Sequence, residues 1–488
     1  MTILYRSAFG LARDIKAREL SAVAVLEFFL ERIERMNGAL NAVVALDSDA
    51  ALERAVAADR AAAAGEDWGP LHGVPMTIKD AWCTAGLVTV GGIPERRDVV
   101  PDENAVGVQR LVDAGAIVFG KTNVPFMSAD LQSFNDVYGV TSNPWNTERT
   151  SGGSSGGAAA AVAAGFTPLE FGSDIGGSIR TPSHFNGVFG HKSSYQLITL
   201  RGHVPPGEGA LSEPDLSCAG PLATCVDDLE EALALLAGPA PDVTAQPMPA
   251  LPTPSFREPS HLRVAVWADD AFCPVDSEIR AHIEAAAATL RELGAHVDLA
   301  ARPAVDPQAN HVNYTQLMLS VLGADMPEAV RTMARDMVAA ADPEDMSEPL
   351  LQMRGIALDH RGWLIQNELR QRTRVAWEAF FRDYDVLLCP CAHVPAFPHD
   401  HHPDLQARRL TVNGESRPYT EVLKWSGLTL NAFLPATAVP LGTTRDGLPI
   451  GMQVVSRYLG DRTTLAVARL LEAHHRAFVP PPGYQGEG

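Results

Sequence analysis

Apolar positions recur along this chain at two periods, and the exchange between them predicts its elements. Residues 19–36 set Val23, Val25, Leu26, Phe29, Leu30 and Ile33 at near-helical spacing, with Ser21 as a candidate N-cap and Asn37-Gly38 as the stop. Residues 50–64 predict a second, alanine-rich helix with Asp49 as its candidate cap. A turn-dense bridge, Gly69-Pro70-Leu71-His72-Gly73-Val74-Pro75, leads into a short strand over 76–80 that carries Lys79 near its end. Residues 104–113 read as a helix stopped by Gly115, and 116–120 as a buried strand. Later the exchange returns, with strands over 263–267, 296–299 and 385–389 and a helix over 276–293 stopped by Gly294. Helices alternating with short apolar strands predict an α/β fold whose sheet is covered on both faces.

Three blocks break this rhythm. The first is a pair of glycine clusters, Ser151-Gly152-Gly153-Ser154-Ser155-Gly156-Gly157 and Ser173-Asp174-Ile175-Gly176-Gly177-Ser178-Ile179-Arg180. Between them stand an alanine helix over 158–164, closed by Gly165, and a strand-like run over 167–172. Loop, helix, strand, loop is the layout of a built site; a flexible glycine–serine tether would lack the ordered middle. The second is a proline- and alanine-rich stretch over 238–260, read as a surface crossing within one large domain. The third, residues 304–380, is mainly helical and carries no motif; such a block often walls a substrate site.

Composition narrows the function. The chain has 488 residues, 46% of them hydrophobic and 20% charged, ordinary for a globular protein with a large core. Against 39 basic residues stand 59 acidic ones, a formal charge of −20 without a dense basic stretch. That argues against nucleic acid as a direct partner. No apolar run reaches membrane-spanning length, and the N-terminus lacks a basic region followed by an apolar one. The 6 cysteines are few and scattered, so the expected setting is reduced and cytoplasmic. Cys389-Pro390-Cys391, with His393, His399, His401 and His402 nearby, offers only one rigid residue between the thiols, too few to reach around one ion. No metal is expected.

Glycine lets the backbone approach a reacting atom and present successive N–H groups to it. A serine just after such a turn, as Ser178 is, reads as a nucleophile with its own oxyanion hole. It needs a base. None of the 15 histidines lies in a pattern that pairs it with Ser178, and the Gly-x-Ser-x-Gly elbow is absent. A lysine held neutral by burial can serve, and Lys79 follows an apolar run that should be buried.

The order and spacing of Lys79, Gly152-Gly153-Ser154-Ser155-Gly156-Gly157 and Asp174-Ile175-Gly176-Gly177-Ser178-Ile179-Arg180-Thr181-Pro182 resemble the amidase signature family of serine hydrolases. Gly73-Val74-Pro75, Gly120-Lys121-Thr122-Asn123, Asn143-Pro144-Trp145, Gly187-Val188-Phe189-Gly190-His191-Lys192 and the Gly447-Leu448-Pro449-Ile450-Gly451-Met452-Gln453 segment extend the likeness over residues 15 to 470. The resemblance implies a single amidase-signature domain over 1–488, an α/β/α sandwich on a mixed central sheet. Within it lie N-terminal helices (1–64), a signature core (65–237), the crossing (238–260) and a C-terminal part (261–488) holding the helical block. It implies Ser178 as the acylated nucleophile, Lys79 as the general base, and Ser154, on a cis peptide, as the serine relaying the proton between them. It implies an oxyanion hole from the N–H groups of Ile175, Gly176, Gly177 and Ser178, with Ser155, Asp174 and Arg180 holding the two loops together. No metal or organic cofactor is implied. The chain departs from the family at Lys192-Ser193-Ser194-Tyr195, where Lys-Pro-Thr is common, and at Ser173, where Thr is more usual; neither is expected to touch the triad.

Within the family, glutaminase subunits of tRNA-dependent amidotransferases usually carry an acidic Asp-Glu-Phe-Ala-Met segment after Lys-Thr-Asn. Here it reads Val124-Pro125-Phe126-Met127-Ser128-Ala129-Asp130, closer to the stand-alone hydrolases. Met127, Ser128 and Ala129 match pocket-lining positions and would make the acyl pocket fairly apolar. The expected substrate is a small uncharged organic amide, an anilide or carbamate included. One alternative is the glutaminase of an amidotransferase complex. Another is a silent scaffold that keeps the fold, although Lys79, Ser154 and Ser178 are all present. The partner expected is the small-molecule amide, without nucleic acid or membrane, and a homodimer is compatible with the chain.

Overall fold

In the computed structural model, which describes residues 2–241 and 251–486, eight strands form one mixed sheet. From one edge to the other they run His296–Asp298, Arg263–Val266, Val386–Pro390, Pro449–Val455, Ala436–Thr443, Phe189–Lys192, Cys218–Ala223 and Leu169–Asp174. The first three are mutually parallel and every later pairing is antiparallel. Pro449–Val455 and Val386–Pro390 are buried along their whole length, which is why their sequences are near-continuous apolar runs. Helices cover both faces of the sheet, as expected. Among the described residues no helix is long and apolar enough to cross a membrane.

Lys79 does not belong to that sheet. Its strand, Pro75–Lys79, is the edge of a separate three-stranded sheet, parallel to Ile117–Thr122, which pairs in turn with Val43–Leu46. Side chains join the two sheets: Thr77 N–H donates to Thr167 Oγ1 at 3.1 Å, and Thr77 Oγ1 donates to Glu170 Oε1 at 2.6 Å. Lys79 is thereby set beside Leu169–Asp174, the edge strand that runs into the second glycine cluster.

Several boundaries move. The helix of 50–64 spans Ser48–Ala64 and is capped by Asp47, whose side chain accepts from Ala50 N–H, not by Asp49, which lies inside the first turn. The strand placed over 167–172 runs Leu169–Asp174, because Thr167 Oγ1 instead donates to Leu169 O. The strand of 116–120 continues to Thr122, since Lys121 and Thr122 are themselves buried. Ser21 does cap Ala22–Met36, accepting from Ala24 N–H. The 304–380 block is helical, as Pro307–Leu322, Glu328–Ala340, Glu348–Ile356 and His360–Phe380. The middle of the proline-rich crossing, 242–250, lies outside the described residues. Its flanks are pinned: Arg110 donates to Gly238 O and Pro239 O, and Ser255 N–H donates to Thr463 Oγ1.

The alanine helix between the clusters, Gly156–Ala163, is buried at every residue. Small side chains are required there. A Cβ on Gly157 would stand 2.3 Å from Asn123 N, so the helix start lies directly on the chain leaving the small sheet.

Candidate active site

Lys79 is fully buried, and its Nζ lies 2.7 Å from Ser154 Oγ and 2.9 Å from Ser173 Oγ. Burial pulls its pKa down to about 7, while Asp174 and Glu170 nearby pull the other way. An amine in that range is a base near neutrality. Glu170, equally buried, is pushed up to about 7 by the same loss of solvent.

Ser154 follows a cis Gly153–Ser154 peptide. Gly153 is pressed against the chain leaving the Met127 turn: a Cβ on it would meet Asp130 O at 2.5 Å and Gln132 N at 2.6 Å. Ser155 lies between the two clusters, its N–H donating to Ser178 O at 3.1 Å and its Oγ to Ser173 O at 3.3 Å. Ser178 is buried to all but 5% of its surface. Among the described residues no direct hydrogen bond links Ser154 Oγ to Ser178 Oγ, so what joins the two serines is the Ser155 backbone bond.

The second cluster is held by an ion pair. Arg180 donates to both oxygens of Asp174 at 3.0 Å, and further to Thr429 Oγ1, Gln453 Oε1 and Ser426 O. Burial alone would raise the Asp174 pKa; the Arg180 guanidinium overrides it and holds the group at about 2. Asp174 in turn accepts from Gly177 N–H at 2.8 Å and Ile179 N–H at 3.0 Å. This changes the expected oxyanion hole. Gly177 N–H is committed to the carboxylate, and the amides of Ile175, Gly176 and Ser178 carry no partner among the described residues. Gly177 serves through its conformation instead: φ is +94°, and a Cβ would lie 2.8 Å from Thr181 Oγ1.

Met127 and Ser128 form a tight turn with φ of 52° and 56°, and the chain leaving it packs on Gly153. The Phe126 side chain is exposed. The motifless block packs on the other side of the second glycine cluster. Tyr314, on Pro307–Leu322, donates to Ile175 O at 2.8 Å, and a Cβ on Gly176 would touch Leu423 at 2.9 Å and Tyr314 Oη at 3.5 Å.

Ser173 overturns the expectation that the departures stay clear of the triad, since its hydroxyl is the second partner of the Lys79 amine. It arrives there because the strand extends through Asp174, one turn of the pleat beyond the expected end. His203, 2.8 Å from Ser173 Oγ, was not legible as a site residue at all. The other departure is structural: Ser194 N–H and Oγ both donate to the buried Asp461 carboxylate. Among the described residues no group of three His, Cys, Asp or Glu side chains is arranged to hold a metal ion. Cys389 and Cys391 are buried at the end of a central strand.

A buried amine bonded to two serines, Ser154 and Ser173, with Ser178 tied to the Ser154 loop and set among unpartnered amides, is equipped for acyl transfer at a carbonyl. Comparison with known proteins points the same way. The family described as Amidase matches residues 24–465. A glutamyl-tRNA(Gln) amidotransferase subunit from Nostoc punctiforme is 30% identical over 95% of this chain and 96% of its own. The indoleacetamide hydrolase of Bradyrhizobium diazoefficiens is 32% identical over 95% of this chain and 86% of its own. The structure of a bacterial aryl acylamidase of the amidase signature family superposes with a TM-score of 0.79 at 25% identity, over 99% of this chain and 98% of that one.

Proposed function

Because this chain belongs to the amidase signature family, whose enzymes hydrolyse C–N bonds, we propose that it is a stand-alone amidase acting on a small uncharged organic amide, anilides and carbamates included. The observation that carries the reading is the buried Lys79 amine 2.7 Å from Ser154 Oγ, with the Ser154 loop tied to Ser178. In this reading Ser178 attacks the carbonyl while its proton passes through Ser154 to Lys79. The Ile175, Gly176 and Ser178 amides receive the developing oxyanion, and Lys79 returns the proton to the departing amine. Water then releases the acid from Ser178 by the same route.

The apolar Val124-Pro125-Phe126-Met127-Ser128-Ala129 segment supports an uncharged acyl group. Likeness to the Nostoc amidotransferase protein supports a second reading, release of ammonia from glutamine within a larger complex. A panel of an aliphatic primary amide, an anilide, a long-chain amide, an aryl carbamate and glutamine separates them. Cleavage of the organic amides or carbamate by wild type but not Ser178→Ala, with glutamine untouched, is the expected result. Cleavage of glutamine alone would replace this reading with the second. No cleavage of any member, by protein that also resists serine-directed reagents, would leave a silent scaffold.

A further inference from the structure

Beyond Lys79 the chain continues through Ala81, Trp82 and Cys83, and residues 202–204 run antiparallel beside it. Cys83 N–H donates to Gly202 O at 2.9 Å, Val204 N–H donates to Ala81 O at 2.7 Å, and Trp82 and His203 form a bridge. The Trp82 ring stands edge-on to the His203 imidazole, centroids 4.7 Å apart. This pairing sets His203 Nε2 2.8 Å from Ser173 Oγ, which is 2.9 Å from Lys79 Nζ.

The direction of each hydrogen bond follows from the partners. His203 Nδ1 lies 3.1 Å from Pro205 O, a carbonyl that can only accept, so Nδ1 carries the proton of the neutral ring and Nε2 is the acceptor. Burial, with the Lys79 charge beside it, keeps the ring neutral, its pKa down to about 3. Ser173 therefore donates to His203. A hydroxyl has one hydrogen, so Ser173 Oγ can meet Lys79 only as an acceptor. A neutral amine has two hydrogens and one lone pair. With Ser173 taking a hydrogen, the lone pair is left for Ser154. The carboxylates facing Lys79 do not impose this choice, because Asp174 is held by Arg180 and Glu170 by Thr77.

We propose that His203 is a positioning residue for the base: by taking the Ser173 hydrogen it makes Ser173 an acceptor and keeps the Lys79 lone pair turned toward Ser154. Without it, Ser173 is free to rotate and donate into that lone pair, in competition with the relay serine. This rests on the reading of Lys79 as the base of Ser178.

The test needs no identified substrate. A fluorophosphonate labels an activated serine, and its rate on Ser178 is measured against pH for wild type, His203→Leu, His203→Gln, Ser173→Ala and the Ser173→Ala/His203→Leu double variant, with thermal unfolding followed in parallel. The high-pH labelling rate of His203→Leu is expected to fall about tenfold or more, within the range that positioned proton transfer contributes. Its pH midpoint moves down, because a hydrogen bond donated to the lone pair favours the neutral amine. His203→Gln, whose amide oxygen can stand where Nε2 does, recovers most of the rate. In the Ser173→Ala background His203→Leu changes nothing further, since no hydroxyl is left to turn. Equal losses in His203→Leu and His203→Gln, or an undiminished loss in the Ser173→Ala background, would overturn the role of His203 alone. A wild type left unlabelled at every pH would overturn the reading of Ser178 and Lys79 themselves, and this proposal with it.

Discussion

At the scale of single residues, the proposed chemistry depends on one amine kept neutral. Lys79 is brought down to about 7 mainly by burial, so it is protonated and inactive below that pH and free above it. The rate kcat/KM for an anilide is expected to rise through a midpoint near pH 7 and then level; a rate flat from pH 5 to 9 would contradict Lys79 as the base. Lys79→Met should lower kcat by about a hundredfold or more, the usual contribution of a positioned base, with its thermal midpoint preserved or raised because a buried amine has been replaced by an apolar chain. Ser154 and Ser178 stood out because their neighbours are glycines in a distinctive order, and Lys79 because it ends a short apolar run. Ser173 and His203 were not. Ser173 reaches Lys79 only because a strand runs past its expected end beside a different sheet, and His203 reaches Ser173 only through backbone pairing with Ala81, Trp82 and Cys83. No local pattern encodes such a long-range pairing.

At the scale of elements, the second glycine cluster is a loop fixed from below. Asp174 and Arg180 are both fully buried and pair at 3.0 Å, and Arg180 also reaches Thr429 and Gln453. Arg180→Met would leave the Asp174 carboxylate buried without its counter-charge, a loss of about 3–5 kcal/mol. Its thermal midpoint should drop sharply, and Asp174→Asn in the same chain should restore part of it; a midpoint equal to wild type for Arg180→Met would refute the anchoring role. Gly177→Ala tests the conformation, since φ of +94° and a 2.8 Å approach to Thr181 Oγ1 leave no room for a methyl group. Turnover should be lost while Ser178 remains present, and near-wild-type kcat would show the loop to be more permissive. Helix and strand identities in this region followed from apolar period and capping, whereas ends shifted by up to three residues, as where Asp47 rather than Asp49 caps its helix and where buried Lys121 and Thr122 extend their strand.

At the scale of the whole molecule, segments far apart in sequence close on the same alanine helix. Arg32 is buried and donates to Ala164 O at 2.9 Å and to Tyr484 O and Gly486 O at 2.7 Å, while the Tyr5 hydroxyl lies 3.0 Å from Ala163 O and 2.9 Å from Tyr484 O, which share its one hydrogen. We propose on this basis that the chain folds as one domain. A chain ending at Gly483 should lose about 1–3 kcal/mol from the stranded guanidinium bonds and unfold earlier, still in one transition; two separate transitions would argue for independent units. The sandwich could be read from alternating periods, but the small sheet carrying Lys79 could not, because edge strands of two sheets look alike in sequence. Nor could the contribution of Pro307–Leu322, which carries no motif yet packs Tyr314 on the second glycine cluster. In the proposed mechanism the Ser178 hydroxyl becomes acylated. Acid quench of the enzyme during turnover of an activated anilide, followed by intact mass and peptide mapping, tests it most directly. One acyl group is expected on the peptide containing Ser178, absent in Ser178→Ala. An acyl group on any other residue, or undiminished acylation in Ser178→Ala, would contradict it.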